Sequence, residues 1–97
     1  MKSVIKSKKL RDSARGQDCT LRLVGICNFN PETTVLAHIG RNRGMGQKCN
    51  DTMAVFACSS CHTEIDSVNR FEYGQDKLDA LERTQQYWIN EGLLNAK

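Results

Sequence analysis

Short apolar runs alternate along this chain with polar, glycine-bearing stretches, and the period of each run predicts its element. Thr34-Val-Leu-Ala-His-Ile39 is β-branched and apolar, which predicts a strand, and the apolar run from Asp51 to Ala57 predicts an antiparallel partner. Between them, Gly40 to Asn50 carries glycines at 40, 44 and 46 and three basic residues, the composition of a loop. From Cys58 to Val68 the chain reads as a helix, with Ser59, Cys61, His62, Ile65 and Asp66 suited to its start. Upstream, residues 1–6 read as a disordered start and residues 7–15 as a short helix ended by Gly16. Cys19 to Cys27 alternates at first, as a strand or hairpin arm does, and Asn28 to Thr33, with the only proline at 31, predicts a turn. Downstream, a link at Phe71–Gln75 leads into a final helix over 76–91, capped by Asp76 and closed by Gly92. Leu78, Leu81, Gln85 and Trp88 recur there at helical spacing as a core-facing stripe. The expected class is α+β, a hairpin and helix flanked by N- and C-terminal helices.

Size changes what must hold this together. Residues 1–97 make one domain near the lower end of what an apolar core supports, and the aromatic content is only 6%. No apolar run approaches the roughly 18 residues of a membrane span, and the basic N-terminus lacks the apolar centre of a signal peptide. The expected setting is therefore a reducing cytoplasm without membrane attachment, where cysteines serve as metal ligands more often than as disulfides. The count of 5 cysteines, an odd number, also argues against a complete disulfide framework. Cys58-Ser-Ser-Cys61 has the Cys-x2-Cys spacing with which a tight turn aims two thiolates at one zinc, and Cys19 and Cys27 supply a second pair. Cys49 lies outside any paired spacing and reads as a free thiol. A filled four-cysteine site needs neither His38 nor His62, although a zinc site of three cysteines and His62 is the alternative.

Charge adds a partner. Residues 1–15 carry Lys2, Lys6, Lys8, Lys9, Arg11 and Arg15 against Asp12, a net of +5 in a chain of +3 overall. Such a basic N-terminal arm suits a phosphate backbone, Lys8 and Lys9 included, with a solvated tail as the bland alternative. Arg41, Arg43 and Lys48 add positive charge in the loop between the strands, where the arginines read as phosphate contacts. Residues 71–97 are net acidic, so the last helix is expected to face away from nucleic acid.

Strand, loop, strand and helix, with one histidine ending the first strand and another opening the helix, is the layout of a ββα-metal hairpin. Ala37-His38-Ile39, Asn50-Asp51 and Cys58-Ser-Ser-Cys61-His62 resemble the first, middle and last parts of the HNH endonuclease motif, with the zinc staple of many members. The chain is more closely similar to small phage and prophage nucleases of the YbcO type. That similarity includes Ile26-Cys27-Asn28, Asn30-Pro31-Glu32-Thr33, Leu36-Ala37-His38-Ile39 and Ala57-Cys58-Ser59. A more distant resemblance is to the RecA-dependent HNH nuclease Ref.

These resemblances imply a metal-dependent endonuclease that hydrolyses DNA phosphodiester bonds in phage or prophage recombination or DNA processing. His38 matches the general base, a task suited to histidine because its unperturbed pKa lies near neutrality. His62 matches a ligand of a catalytic divalent metal such as Mg2+ or Mn2+. Asp66, one helical turn on, is placed to share that metal or else to face solvent. Asp51 or Asn50 occupies the middle position that orients the base. One departure stands out: many HNH nucleases have an Asp or His directly before the base histidine, and this chain has Ala37. The rival reading is a catalytically silent zinc module that binds nucleic acid or a RecA-type recombinase filament. Either is expected to act as a monomer or weak dimer.

Overall fold

A computed structural model describes residues 7–40, 50–69 and 71–94. In chain order the elements are α1 (Lys8–Asp12), a 3-10 turn (Pro31–Thr33), β1 (Val35–His38), β2 (Ala54–Ala57), α2 (Ser59–Ser67) and α3 (Gly74–Asn90). β1 and β2 form an antiparallel hairpin in which Val35 faces Ala57, Leu36 faces Phe56, Ala37 faces Val55 and His38 faces Ala54. The Ile39 N–H to Met53 carbonyl bond of 2.9 Å carries the pairing one residue further. Hairpin and following helix thus stand where the hydrophobic pattern predicts them.

All of β2 is buried, which is why its sequence runs apolar without alternation. Strand geometry sends successive side chains to opposite faces, and each face of this hairpin has its own core. Ala37, Val55 and Ala57 pack with Leu21, Leu23, Ile65, Ala80 and the cysteines Cys19, Cys58 and Cys61. Phe56 packs with Leu10, Ala14 and Trp88, with Leu36 against that cluster. Phe56 meets the rings of Tyr87 and Trp88 edge-on, with centroids 5.6 and 6.0 Å away. The outer edge of β2 is closed by threonines. Thr20 donates its N–H and hydroxyl to the Phe56 carbonyl at 2.7 and 2.9 Å, and the Phe56 N–H donates to Thr84 Oγ1 at 3.3 Å. The outer edge of β2 is thereby paired at Phe56 rather than left open.

Three expectations need correction. Cys19 to Cys27 forms turns rather than a strand or hairpin arm, because its backbone bends around the cysteine sulfurs. Asp76 does not cap the last helix: α3 starts at Gly74 after Tyr73 in a left-handed conformation, and Asp76 lies in the first turn. The buried stripe of α3 is Lys77, Ala80, Thr84 and Trp88, with Leu81 partly buried, while Leu78 points outward at 59% exposure. One residue of helix rotates a side chain by about 100°, so the stripe of Leu78, Leu81, Gln85 and Trp88 met the buried face at Trp88 and missed Lys77, Ala80 and Thr84. Gln85 reaches the hairpin turn and donates to the Thr52 carbonyl at 2.8 Å. At its other end α3 closes as expected, with Gly92 at φ 73° and Leu93 bonding back to Trp88 at 2.8 Å.

Residues 1–6 lie outside the described residues, and from Ser7 onward the basic N-terminal segment packs on the fold rather than standing off as an arm. Ser7 caps α1 by accepting from the Leu10 N–H, and Leu10 and Ala14 are buried. Ser13 accepts from the Trp88 indole N–H at 2.7 Å, tying this segment to α3.

Candidate metal centre and histidine pairs

Four cysteines distant in sequence converge because two turns and a helix start are aimed at one point. Cys58 is the N-cap of α2 and its sulfur accepts from the Cys61 N–H at 3.4 Å, the bond that lets a Cys-x2-Cys turn present both sulfurs together. Cys19 accepts from the Arg22 N–H at 3.4 Å in the same manner. The sulfurs of Cys19, Cys27, Cys58 and Cys61 all lie within 4.8 Å of one another, and Cys27 and Cys58 are 3.8 Å apart. A tetrahedral zinc with bonds of about 2.3 Å separates its sulfurs by about 3.8 Å, so this donor set fits structural zinc. Cys19, Cys58 and Cys61 are buried and Cys27 is half-buried. Burial raises the Cys61 thiol above its ordinary range. The Cys58 thiol is also opposed by burial, but N–H groups of Asn28 and Cys61 outweigh it and bring it down to about 7.

Around the cluster, Asn28 fastens the turn before β1 to α2. Its side-chain amide donates to Ser59 Oγ at 3.1 Å and Ser60 Oγ at 3.3 Å. The Ser59 N–H donates to Thr33 Oγ1 at 3.2 Å. Cysteine cluster, hairpin and helix are thus one connected unit.

His38 ends β1, and Asp51 sits in the turn that opens β2, closed by the Met53 N–H to the Asn50 carbonyl at 3.0 Å. His38 Nε2 and Asp51 Oδ1 lie 2.7 Å apart. The other oxygen of Asp51 accepts from the Ser7 N–H at 2.6 Å and lies 3.8 Å from the Arg11 guanidinium. Asp51 is only 3% exposed. Burial pushes its carboxyl up, but the bonds from His38 and Ser7, with the charge of Arg11, outweigh that and hold it below the ordinary carboxylate value. Of the two candidates for the middle position, Asp51 contacts His38, and Asn50 gives its carbonyl to the turn. On α2, His62 Nε2 and Asp66 Oδ2 stand 3.2 Å apart, both side chains open to solvent. Among the basic candidates, Lys8 pairs with Asp12 at 2.7 Å on the surface and Lys9 is exposed. Arg41, Arg43, Lys48 and Cys49 lie outside the described residues.

A family model described as "Putative nuclease YbcO" matches residues 8–93, which takes in the cysteine cluster and both histidine pairs. The chain belongs to the YbcO family. It is 48% identical over 93 residues to "Putative nuclease YbcO" of Escherichia coli (strain K12) and equally to that of Enterobacteria phage 82. Each match covers 90% of this chain and 97% of the relative. A solved structure described as a putative bacteriophage protein from Escherichia coli str. K-12 substr. MG1655 superposes with a TM-score of 0.70 at 42% identity. That match covers 87% of this chain and 100% of the other. Among the described residues no helix is long and apolar enough to cross a membrane.

Sequence reasoning missed the support behind Asp51. Ser7 and Arg11 reach it across 44 and 40 positions, a relation that no local spacing encodes. It missed Asn28 as a fastener for the same reason.

Proposed function

We propose that this chain is a single HNH-type nuclease domain that hydrolyses DNA phosphodiester bonds with a divalent metal, and that His38 is its general base. The observation that carries the reading is the 2.7 Å contact between His38 and the buried Asp51. Asp51 is held ionised well below neutral pH, and an ionised carboxylate only accepts. The proton in that contact therefore sits on His38 Nε2. As general base the imidazole takes the proton from the attacking water, and Asp51 stabilises the imidazolium that results. Asp51 thus acts through His38, and Ser7 and Arg11 hold Asp51 in place.

His62 and Asp66 would hold the catalytic metal. Neighbouring ligands of an octahedral Mg2+ with bonds of about 2.1 Å lie about 3.0 Å apart, and the 3.2 Å separation suits such a pair. When bound, the ion supplies positive charge for the phosphate and the leaving oxygen. The remaining ligands would be water and substrate phosphate, consistent with the exposure of both side chains. The names of the relatives support action on nucleic acid, and their phage and bacterial sources support a phage or prophage setting in a host cytoplasm. Lys8, Lys9, Arg41, Arg43 and Lys48 would add affinity that does not depend on sequence.

The test is plasmid nicking with Mg2+ or Mn2+. His38→Ala is expected to lower the rate by about 10²-fold or more, and undiminished cleavage would remove His38 from the mechanism. His62→Ala is expected to raise the metal concentration required while leaving the zinc content unchanged.

One observation favours a second reading. Ala37, where many HNH nucleases carry a metal ligand, is 1% exposed and packed in the apolar cluster around the cysteines. A catalytically silent zinc module that binds nucleic acid or a RecA-type recombinase filament would bind DNA without cutting it, with or without the recombinase.

A further inference from the structure

Two non-glycine residues beside the cysteine cluster hold left-handed backbone, Arg22 at φ 50° and Phe29 at φ 56°. At Arg22 the cause is local: its N–H donates to Cys19 Sγ at 3.4 Å, so the chain turns tightly about that sulfur. Glycine makes such turns without steric penalty, whereas an L-residue there is disfavoured, and residues kept in that state concentrate at functional sites. Burial does not explain either side chain: Arg22 is exposed and Phe29 is 77% exposed. Both line one cleft of about 330 Å3, together with Asp18, Cys19 and Pro31. Arg22 Nε donates to the Cys19 carbonyl at 3.1 Å, which fixes the guanidinium at the cleft and leaves its terminal amino groups for a ligand.

We propose that this cleft takes one unstacked nucleobase of the substrate strand, stacked on Phe29 and hydrogen-bonded by Arg22 and Asp18. The proposal rests on the nucleic-acid reading above and gives it a contact to a base, apart from the cleavage site. Single-stranded nucleic acid is held by aromatic faces and guanidinium planes against its bases and by hydrogen bonds to the exposed base edges. Every base edge offers donors and acceptors together, which Asp18 and Arg22 complement. A carboxylate in the cleft disfavours a phosphate there, and an aromatic face gives a phosphate nothing.

The experiment uses the full zinc-loaded chain in a His38→Ala background, so that bound strands stay intact, with single-stranded oligonucleotides carrying 2-aminopurine. Phe29→Ala is expected to weaken binding about ten-fold or more, to abolish the change in 2-aminopurine fluorescence, and to leave the salt dependence of binding unchanged. Phe29→Trp is expected to restore affinity. Phe29→Gly is expected to lose affinity with no fall in Tm, a combination that a merely structural role for Phe29 would not produce. On an oligonucleotide made abasic throughout, Phe29→Ala and its parent are expected to bind alike. A Phe29→Ala protein that binds the normal strand as its parent does overturns the cleft alone, as does an equal loss on the abasic strand, which would point to a backbone contact. A parent that binds no oligonucleotide, including one that instead captures a protein partner through this face, overturns the nucleic-acid reading and the cleft with it.

Discussion

Asp51 shows how one residue joins stability to the proposed chemistry. It is nearly fully buried, yet three groups keep its carboxyl below the ordinary value of 3.8. A carboxylate whose folded pKa is lowered stabilises the fold above its unfolded pKa, and that contribution is lost as pH falls through the lower folded value. Asp51→Asn is therefore expected to destabilise the protein by about 1–3 kcal/mol at neutral pH. The difference from wild type should shrink below about pH 4, as the wild-type carboxyl takes up its proton. Denaturant melts of the two proteins at a series of pH values measure this directly; a gap that widens toward acid contradicts the assignment. The same substitution replaces the charged acceptor of His38 with a neutral amide, so nicking should fall even where both proteins are fully folded.

At the scale of elements, α3 is held by small and polar residues that hydropathy alone passes over. Thr84 is fully buried, accepts from the Phe56 N–H and shares a hydrogen bond with Thr20 Oγ1 at 3.0 Å. Thr84→Val keeps the shape and deletes the acceptor, leaving a buried strand N–H unpaired. The expected cost is about 1–3 kcal/mol, read as a lower denaturant midpoint with an unchanged slope. Gly92 offers a contrasting case. A Cβ there would meet nothing within 4 Å, so Gly92→Ala carries only the conformational penalty of φ 73°. That penalty is about 1 kcal/mol, visible as a drop of a few degrees in Tm. A larger loss would mean that the helix end carries a contact beyond its backbone turn.

Across the whole molecule, the cysteine cluster binds together segments that the sequence leaves far apart. Structural zinc in small domains contributes on the order of 10–16 kcal/mol, as much as the whole stability of a typical domain. Cys58→Ser is therefore expected to release zinc and unfold the chain, as a strong chelator should. Cys49→Ser should do neither, with zinc content and far-UV circular dichroism as the readouts; equal effects from the two substitutions would contradict the ligand set. The Cys-x2-Cys spacing of Cys58 and Cys61 and the apolar runs of the hairpin were legible in the sequence because they depend on neighbours a few residues apart. For the same reason the capping glycine at 92 and the helix after Cys58 could be read directly. By itself the sequence determined those local periods, the presence of thiols for a metal and the two histidines. Only the tertiary structure decided that Cys19 and Cys27 approach through turns around sulfur, that Thr84 rather than Leu78 faces the sheet, and that Asp51 meets His38 with Ser7 and Arg11 behind it. Those relations join groups brought together by packing, and hydrophobic periodicity carries no record of which distant polar groups will meet once the apolar faces are buried.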